Sequence, residues 1–435
     1  MIKALNKLGI ILFPAFDWEI TPSHPERKER LLYTKDQIYE EGIDDIKGIT
    51  FHNPTIAHIN DINRVHFIIP SHKNIITDSH LIASGAAIKA LKLVMDKEVD
   101  KAFSLTRPPG HHAMKVVYGD RGFCVINNEA VMIENIRQKY KDLKVAIIDT
   151  DCHHGDGTED IYWNDPNTLV ISIHQDGRTL YPGTGFTKEL GGPSAYGYNI
   201  NIPLPPNTGD EGFLYTITNL VLPILKDFKP DLIINSAGQD NHYSDPLTNM
   251  NFSARGYAKL NELLNPDISV LEGGYSIEGA LPYINTGIIL AMAGIDYSNV
   301  IEPDFTPNKV SQTKEITNYI KNLTKEIYKT WKNKETLANN LFKNKLYINE
   351  NKRIYYDTSN IFEHQNKTYK RCPNCRGVEV IKTSNDQGLK ALAITIPLNS
   401  CQECLKEGYN LYETTNKGYT NIYLQDRVND EYLNK

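Results

Sequence analysis

Asp149, Asp151 and His153 alternate where the apolar run Val145, Ala146, Ile147, Ile148 ends, in the stretch Ile-Asp-Thr-Asp-Cys-His-His-Gly-Asp-Gly. Alternate residues of a strand share one face, so this spacing predicts two carboxylates and an imidazole converging on one point. That donor set suits zinc and other borderline divalent ions, and a catalytic zinc takes three protein ligands while keeping a position for water. Three further polar clusters end apolar runs in the same way. Leu232, Ile233 and Ile234 run into Ser-Ala-Gly-Gln-Asp, whose Asp240 is the natural third ligand. A short apolar strand after Ala102 leads to Arg-Pro-Pro-Gly-His-His, where His111 and His112 point apart on an extended chain and each needs its own partner. Gly273 and Gly274 allow a tight turn that presents the hydroxyl of Tyr275. These are the parts amide hydrolysis requires: a metal that polarises the carbonyl and activates water, a base that becomes an acid, and a donor for the oxyanion.

In this order the blocks resemble the zinc-dependent histone deacetylase family, on its class II and bacterial side, which also contains acetylpolyamine amidohydrolases and acetoin-utilisation proteins. The resemblance starts at His24-Pro-Glu-Arg-Lys-Glu-Arg-Leu31 and takes in residues 107–113, 122–128, 149–157, 181–185, 201–204, 236–240 and 271–275, or roughly 1–297. It implies Asp151, His153 and Asp240 as ligands of a catalytic zinc, with Asp149 paired to His111 and Asp156 to His112. It implies His112 as base and then acid, His111 as an electrostatic contributor, and Tyr275 as oxyanion donor. Gly122, Phe123, Tyr181, Gly273 and Gly274 are implied at the substrate, with Phe123 and Tyr181 walling a narrow channel for an extended acyl-lysine side chain. A potassium ion beneath the zinc is implied at Ser172, Asp149, Asp151 and the His153 carbonyl. Gln239, Thr150 and Cys152 depart from the aromatic or bulkier residues usual there, which bears on pocket shape and acyl preference. The expected function is zinc-dependent removal of acetyl or other acyl groups from lysine of proteins. An acetylated polyamine is the alternative substrate, and a non-catalytic acyl-lysine-binding scaffold the alternative role.

Apolar strands, the first over 9–13, alternate with helical stretches over 128–141, 210–229 and 253–264. That alternation predicts an α/β fold: a mostly parallel sheet, helices on both faces, ligands at the carboxyl ends of strands. The arginase/deacetylase fold implied by the resemblance has this form. With 435 residues, 40% of them hydrophobic, the chain is expected to divide into a catalytic domain (1–297), a linker and helical segment (298–345) and a small zinc-ribbon-like domain (346–435). Within 312–342, Ile316, Ile320, Leu323, Ile327 and Trp331 recur at helical spacing. This stripe is expected to pack on the catalytic domain or within the appendage.

Cys372-Pro-Asn-Cys375 and Cys401-Gln-Glu-Cys404 form two Cys-x-x-Cys knuckles with 25 residues between them. Four thiolates at this spacing specify a tetrahedral structural zinc, against the alternative of two disulfides or redox pairs. Strands are expected over 378–382 and 392–396, and Cys124 and Cys152 are expected to be free thiols. Ribbons bind nucleic acid, bind proteins or staple a small domain. Lys367, Lys370, Arg371 and Arg376 permit the first, while Glu403 and Glu407 weaken it. No assigned chemistry lies beyond Tyr275, so the appendage is expected to be dispensable for a small substrate.

Residues 1–300 hold 26 Lys and Arg against 37 Asp and Glu, and residues 301–435 hold 21 against 16. An acidic catalytic region favours cationic substrates such as lysine-rich tails or polyamines by steering. No apolar run approaches a membrane span, and the start lacks a small-residue cleavage site, so no membrane partner and a cytoplasmic location are expected.

Overall fold

The computed structural model describes residues 2–16, 18–416 and 418–435. One sheet is built from β1 (Lys3–Phe13), β2 (Lys47–His52), β4 (Lys101–Thr106), β6 (Val145–Asp149), β7 (Thr168–Gln175), β8 (Asn199–Leu204), β9 (Leu232–Ala237) and β10 (Ile268–Leu271). The short strands β3 (Phe67–Ile68) and β5 (Val116–Val117) pair separately. The order in the large sheet is β2-β1-β4-β10-β9-β6-β7-β8, and every neighbouring pair is parallel. Strands β4, β6, β7 and β8 are buried along their whole length. Their runs need no polar alternation, because helices cover both faces. On one face lie Glu29–Glu40, Ala254–Leu264 and Leu281–Ala293; on the other, Asp78–Met95 and Asn128–Ile136.

The helix Lys314–Phe342 opens with the Thr313 side chain accepting from the Ile316 amide. Its stripe seats Ile320, Ile327 and Trp331 in the first of these two cores, with Ile316 and Leu323 at the edge. The helix therefore packs on the main body. Among the described residues no helix is long and apolar enough to cross a membrane.

The C-terminal residues form a second sheet from β11 (Tyr347–Tyr356), β12 (Ile361–Lys370), β13 (Glu379–Asn385), β14 (Lys390–Ile396), β15 (Asn421–Asp426) and β16 (Glu431–Asn434), in chain order. The strands expected between the knuckles are β13 and β14, and four more widen this ribbon core into six strands. All pairings are antiparallel except β14 with β15, which the helix Gln402–Thr414 connects. Alternation along β14 serves two cores. Ala391 and Ala393 join Ile354, Tyr356, Ile361 and Ile381 against Phe67, Met114, Val116 and Tyr118 of the main body. Leu392, Ile394 and Ile396 pack with Cys404, Ile422 and Leu424 on the other side.

Ion pairs cross the same interface. Asp160 receives Lys367 at 2.5 Å and Lys352 at 3.0 Å, Lys115 meets Glu379 at 2.5 Å, and Arg427 meets Glu134 at 2.6 Å. The four basic residues flanking the knuckles are thereby occupied from within the chain. Lys367 pairs with Asp160, Lys370 with Glu407 and Arg376 with Asp165, while Arg371 donates to the carbonyls of Phe342 and Lys345. All four therefore have partners supplied by the chain itself.

Burial opposes ionisation of Asp160, yet Lys352 and Lys367 hold its carboxyl far below the ordinary carboxylate range. Its contribution to stability is therefore present above the unfolded carboxylate pKa of about 4 and is lost as pH falls below it. Asp160→Asn leaves two lysines without their anion at a dry interface. A loss of about 3–5 kcal/mol is expected in urea unfolding at neutral pH. The difference from the parent should shrink on acidification below about pH 4.

Candidate active site

The adjacent strands β4, β10, β9 and β6 release their loops at the same end of the sheet. Strand β6 stops at Asp149, so Asp151 and His153 lie in the loop beyond it rather than on a strand face. Short carboxylate bonds turn that loop: Asp149 Oδ1 accepts from the Asp151 amide at 3.0 Å and Asp151 Oδ1 from the His153 amide at 2.8 Å. The turn separates the trio expected to converge. Asp151, His153 and Asp240 each present a ligand atom within 4.8 Å of the other two. Asp149 points away from them, its Oδ2 lying 3.0 Å from His111 Nδ1. His112 Nδ1 lies 2.8 Å from Asp156 Oδ1. The two histidines thus have separate carboxylates, and their rings stand 4.1 Å apart.

His153 Nδ1 sits 2.8 Å from Asp240 Oδ2 and 3.2 Å from Asp151 Oδ1. Asp149, Asp245 and Glu272 are buried in the same loop cluster. Burial raises Asp149 to about 6, over the opposing pull of His111, and burial with Asp240 raises Asp245 to about 7. Burial and Glu129 push Glu272 well above the usual carboxylate range. Against their burial, His111 and His153 hold Asp151 below that range. Negative charge crowded into a dry site is what a divalent cation relieves, and two carboxylates with one imidazole are a fitting donor set for zinc. The backbone makes room for it. The Gly273 amide donates to Asp151 Oδ2 at 2.8 Å, and a Cβ at Gly273 would stand 2.6 Å from Asp240 Oδ2 and 2.7 Å from Asp151 Oδ2.

Aromatic rings enclose this centre. Tyr181 lies 5.2 Å from the His112 ring and 6.3 Å from His153, both edge-on. Phe123 stands edge-on between His24, 4.4 Å away, and Tyr275, 5.8 Å away. Gly122, at φ +53°, turns the chain ahead of Phe123, and a Cβ there would run into the His112 ring. The Tyr275 amide donates to Asp245 at 2.7 Å, and the Arg30 guanidinium lies 5.1 Å from the Tyr275 ring centre. Burial, reinforced by Asp240 and Asp151 over the opposing Arg30, holds the Tyr275 phenol protonated. Ser172 stands beside Asp149 across β6 and β7, with its hydroxyl 2.8 Å from His174 Nδ1.

Several supporting residues had no role in the reading of the sequence. Glu26 binds both Arg30 and Arg107, all three fully buried. Arg30 then donates to the carbonyls of Gly274 at 2.7 Å and Glu272 at 2.5 Å, clamping the turn that carries Tyr275. Glu26 and Arg30 lie inside the block 24–31, which was the available signal. Arg121 joins Asp156, donates to the Tyr181 hydroxyl at 2.7 Å, and reaches the Tyr355 carbonyl at 2.9 Å. Asp357, in the turn between β11 and β12, accepts from the Gly122 amide at 2.9 Å and the Tyr181 hydroxyl at 2.8 Å. Ser359 accepts from the Asp120 amide at 2.9 Å. The C-terminal sheet therefore braces the loop 119–124, contacts that the reading of the sequence did not include.

The four cysteines converge at the far side of that sheet, each Sγ within 4.8 Å of the others. Cys401 Sγ lies 3.7 Å from Cys372 Sγ and 3.6 Å from Cys375 Sγ. A disulfide needs about 2.05 Å, whereas two thiolates on one zinc with bonds of about 2.3 Å stand roughly 3.8 Å apart. Amides of Asn374 and Gly377 donate to Cys372 and Cys375, each at 3.4 Å. The Cys404 amide and neighbouring thiols draw Cys401 down to about 7. Cys124 and Cys152 are free and buried.

The family model described as "Histone deacetylase domain" matches residues 66–291. The chain is 45% identical over 314 residues to a "Probable deacetylase" of Archaeoglobus fulgidus, covering 66% of this chain and 86% of that protein. It is 35% identical to the "Histone deacetylase-like amidohydrolase" of Pseudomonas aeruginosa, over 49% of this chain and 58% of that protein. The solved structure titled "Crystal Structure of HDA15 HD domain" shares the fold, with a TM-score of 0.63 at 24% identity, covering 76% of this chain and 98% of that one.

Elemental analysis of the purified chain is expected to return about two zinc equivalents, one per donor set. Asp240→Asn and Cys401→Ser should each remove about one equivalent, and their combination both. Asp357→Ala should speed amide exchange across 122–124 by about tenfold or more, since it removes two hydrogen bonds worth about 1 kcal/mol each.

Proposed function

The chain belongs to the histone deacetylase family, and from that membership we propose that it is a zinc-dependent hydrolase, acting in the cytoplasm, that removes acetyl groups from Nε-acetyl-lysine or a related N-acetylated amine. The supporting observation is the grouping of His112, backed by Asp156, with Tyr275 around the buried cluster Asp151, His153 and Asp240. We place the chemistry in residues 1–297, followed by a linker and helix over 298–345 and a zinc-ribbon-like unit over 346–435.

Asp151, His153 and Asp240 would hold zinc, which supplies Lewis acidity toward the scissile carbonyl and a water of lowered pKa. His112 takes the proton. Burial and the neighbouring His111 hold its ring down to about 3, and Asp156 engages Nδ1, leaving Nε2 unprotonated at neutral pH. His111 is drawn well above its ordinary value by Asp151 and Asp149 against its burial, so it acts by its field rather than by transfer. The protonated His112 then serves the departing amine as acid. The Tyr275 phenol donates to the oxygen that gains charge. Phe123 and Tyr181 wall a slot for an extended aliphatic amine, with Gly122, Gly273 and Gly274 shaping its backbone. Ser172 and Asp149 with the His153 carbonyl are the proposed potassium position, and Cys372, Cys375, Cys401 and Cys404 the structural zinc.

The excess of acidic over basic residues in 1–300 favours a cationic partner, which both lysine-rich peptides and acetylated polyamines provide. Assay against acetyl-lysine peptides and acetylated polyamines separates them. Retained binding of acetyl-lysine without turnover would replace the enzyme with a scaffold. Tyr275→Phe is expected to lower turnover on the better substrate by on the order of 10² to 10³ with zinc content unchanged. His112→Ala should lose more activity than His111→Ala, and equal losses would remove the division of roles between them.

A further inference from the structure

A solvent-open cavity of about 290 Å³ lies where the first cysteine knuckle and β15 meet the main body, far along the interface from the Asp357 turn. Its lining is strongly basic, with Arg137, Lys141, Arg376 and Arg427 set against only two carboxylates, Glu134 and Asp165. Arg64 and Lys115 also line it, but each has its own acid outside the lining: Asp61 and Asp430 for the first, Glu379 for the second.

The ion pairing inside the cavity is incomplete. Three guanidiniums share two carboxylates: Arg137 meets Glu134 at 3.0 Å and Asp165 at 2.8 Å, Arg376 meets Asp165 at 2.8 Å, and Arg427 meets Glu134 at 2.6 Å. Every one of these contacts is made by a terminal nitrogen. Among the described residues the Nε–H groups of Arg137, Arg376 and Arg427 find no hydrogen-bond partner, nor does the buried hydroxyl of Tyr162. Arg137 and Arg427 are 2% and 5% exposed, so these are desolvated donors rather than surface arginines. Buried charge left unmatched is costly, and three guanidiniums sharing two carboxylates beside the exposed Lys141 favour an anion with several oxygens.

We propose that this cavity binds a small phosphate-bearing anion, either inorganic phosphate or a phosphomonoester. Three guanidiniums on two carboxylates, with Lys141 beside them, leave positive charge uncompensated, which a phosphate dianion offsets, and guanidinium is the side chain whose geometry suits it. The donors come from both halves of the chain: Arg137, Lys141 and Tyr162 from the main body, Arg376 and Arg427 from the C-terminal sheet. Arg376 follows Cys375 directly, so the knuckle fixes where it points. An anion here ties the two sheets together and stabilises the folded chain by mass action.

The test is calorimetric titration of the zinc-loaded full-length chain with inorganic phosphate and with ribose 5-phosphate, at ionic strength held constant with chloride, alongside melting temperature. Saturable binding and a concentration-dependent rise in melting temperature are expected. Arg376→Gln should weaken binding by about tenfold or more, the value of one lost charge-assisted contact. Lys141→Gln, at an exposed position that the fold does not need, should weaken it several-fold. Tighter binding of the sugar phosphate would identify a phosphomonoester as the occupant, and equal or weaker binding inorganic phosphate itself. No saturable binding beyond the chloride control, or unchanged affinity in both variants, would overturn the proposal. So would an oligonucleotide that binds where neither phosphate does.

Discussion

Asp151 and Asp240 present oxygens within 4.8 Å of one another, with Asp149, Asp245 and Glu272 close by, at the buried end of a parallel sheet. Like charges so placed repel, and burial removes the water that would screen them. The rest of the site reads as a response to that repulsion. One imidazole stands between the two ligand carboxylates, a second neutralises Asp149, and backbone amides of Cys152, Gly273 and Tyr275 donate to Asp240, Asp151 and Asp245. Glycine at 273 follows from the same crowding, since any side chain would enter the space the carboxylates occupy. A divalent cation would complete the neutralisation, and the chemistry proposed for the site would follow from its binding among groups already fixed.

Fixing those groups takes a second set of buried charges. Glu26 with Arg30 and Arg107 forms a closed cluster behind the turn that carries Tyr275. Although burial opposes it, the two arginines hold Glu26 below its ordinary value, so the cluster stays ionised. Arg121 does the same behind His112, through Asp156, and extends to Tyr181. Rigid partners of this kind set the tautomer of an imidazole and the direction of a phenol, on which differential stabilisation of a transition state depends.

The C-terminal sheet extends this support from outside the matched family region. Its inner face is an apolar layer against Phe67, Met114, Val116 and Tyr118, its flanks are buried ion pairs, and its first turn delivers Asp357 to the loop 119–124. The cysteine cluster lies on the opposite face and organises the helix Gln402–Thr414 and the knuckle bearing Arg376. A unit that reads in sequence as a separate staple is thus packed into the body it follows.

The sequence by itself determined the donors and the fold class. Apolar runs ending in Asp, His and Gly clusters place chemistry at strand ends whatever the exact register, and two Cys-x-x-Cys knuckles state their geometry through spacing alone. The shared strand face expected for Asp149, Asp151 and His153 is not what forms, because alternation holds only while a strand continues and β6 stops at Asp149. Only the tertiary structure joined Glu26 to Arg107, 81 residues apart, and Gly122 to Asp357, 235 apart. It also paired Lys367 with Asp160 and Arg376 with Asp165. Such pairings leave no periodic trace, since a salt bridge or a braced loop depends on which surfaces pack together, and that is settled by the burial of whole sheet faces rather than by any local run of residues.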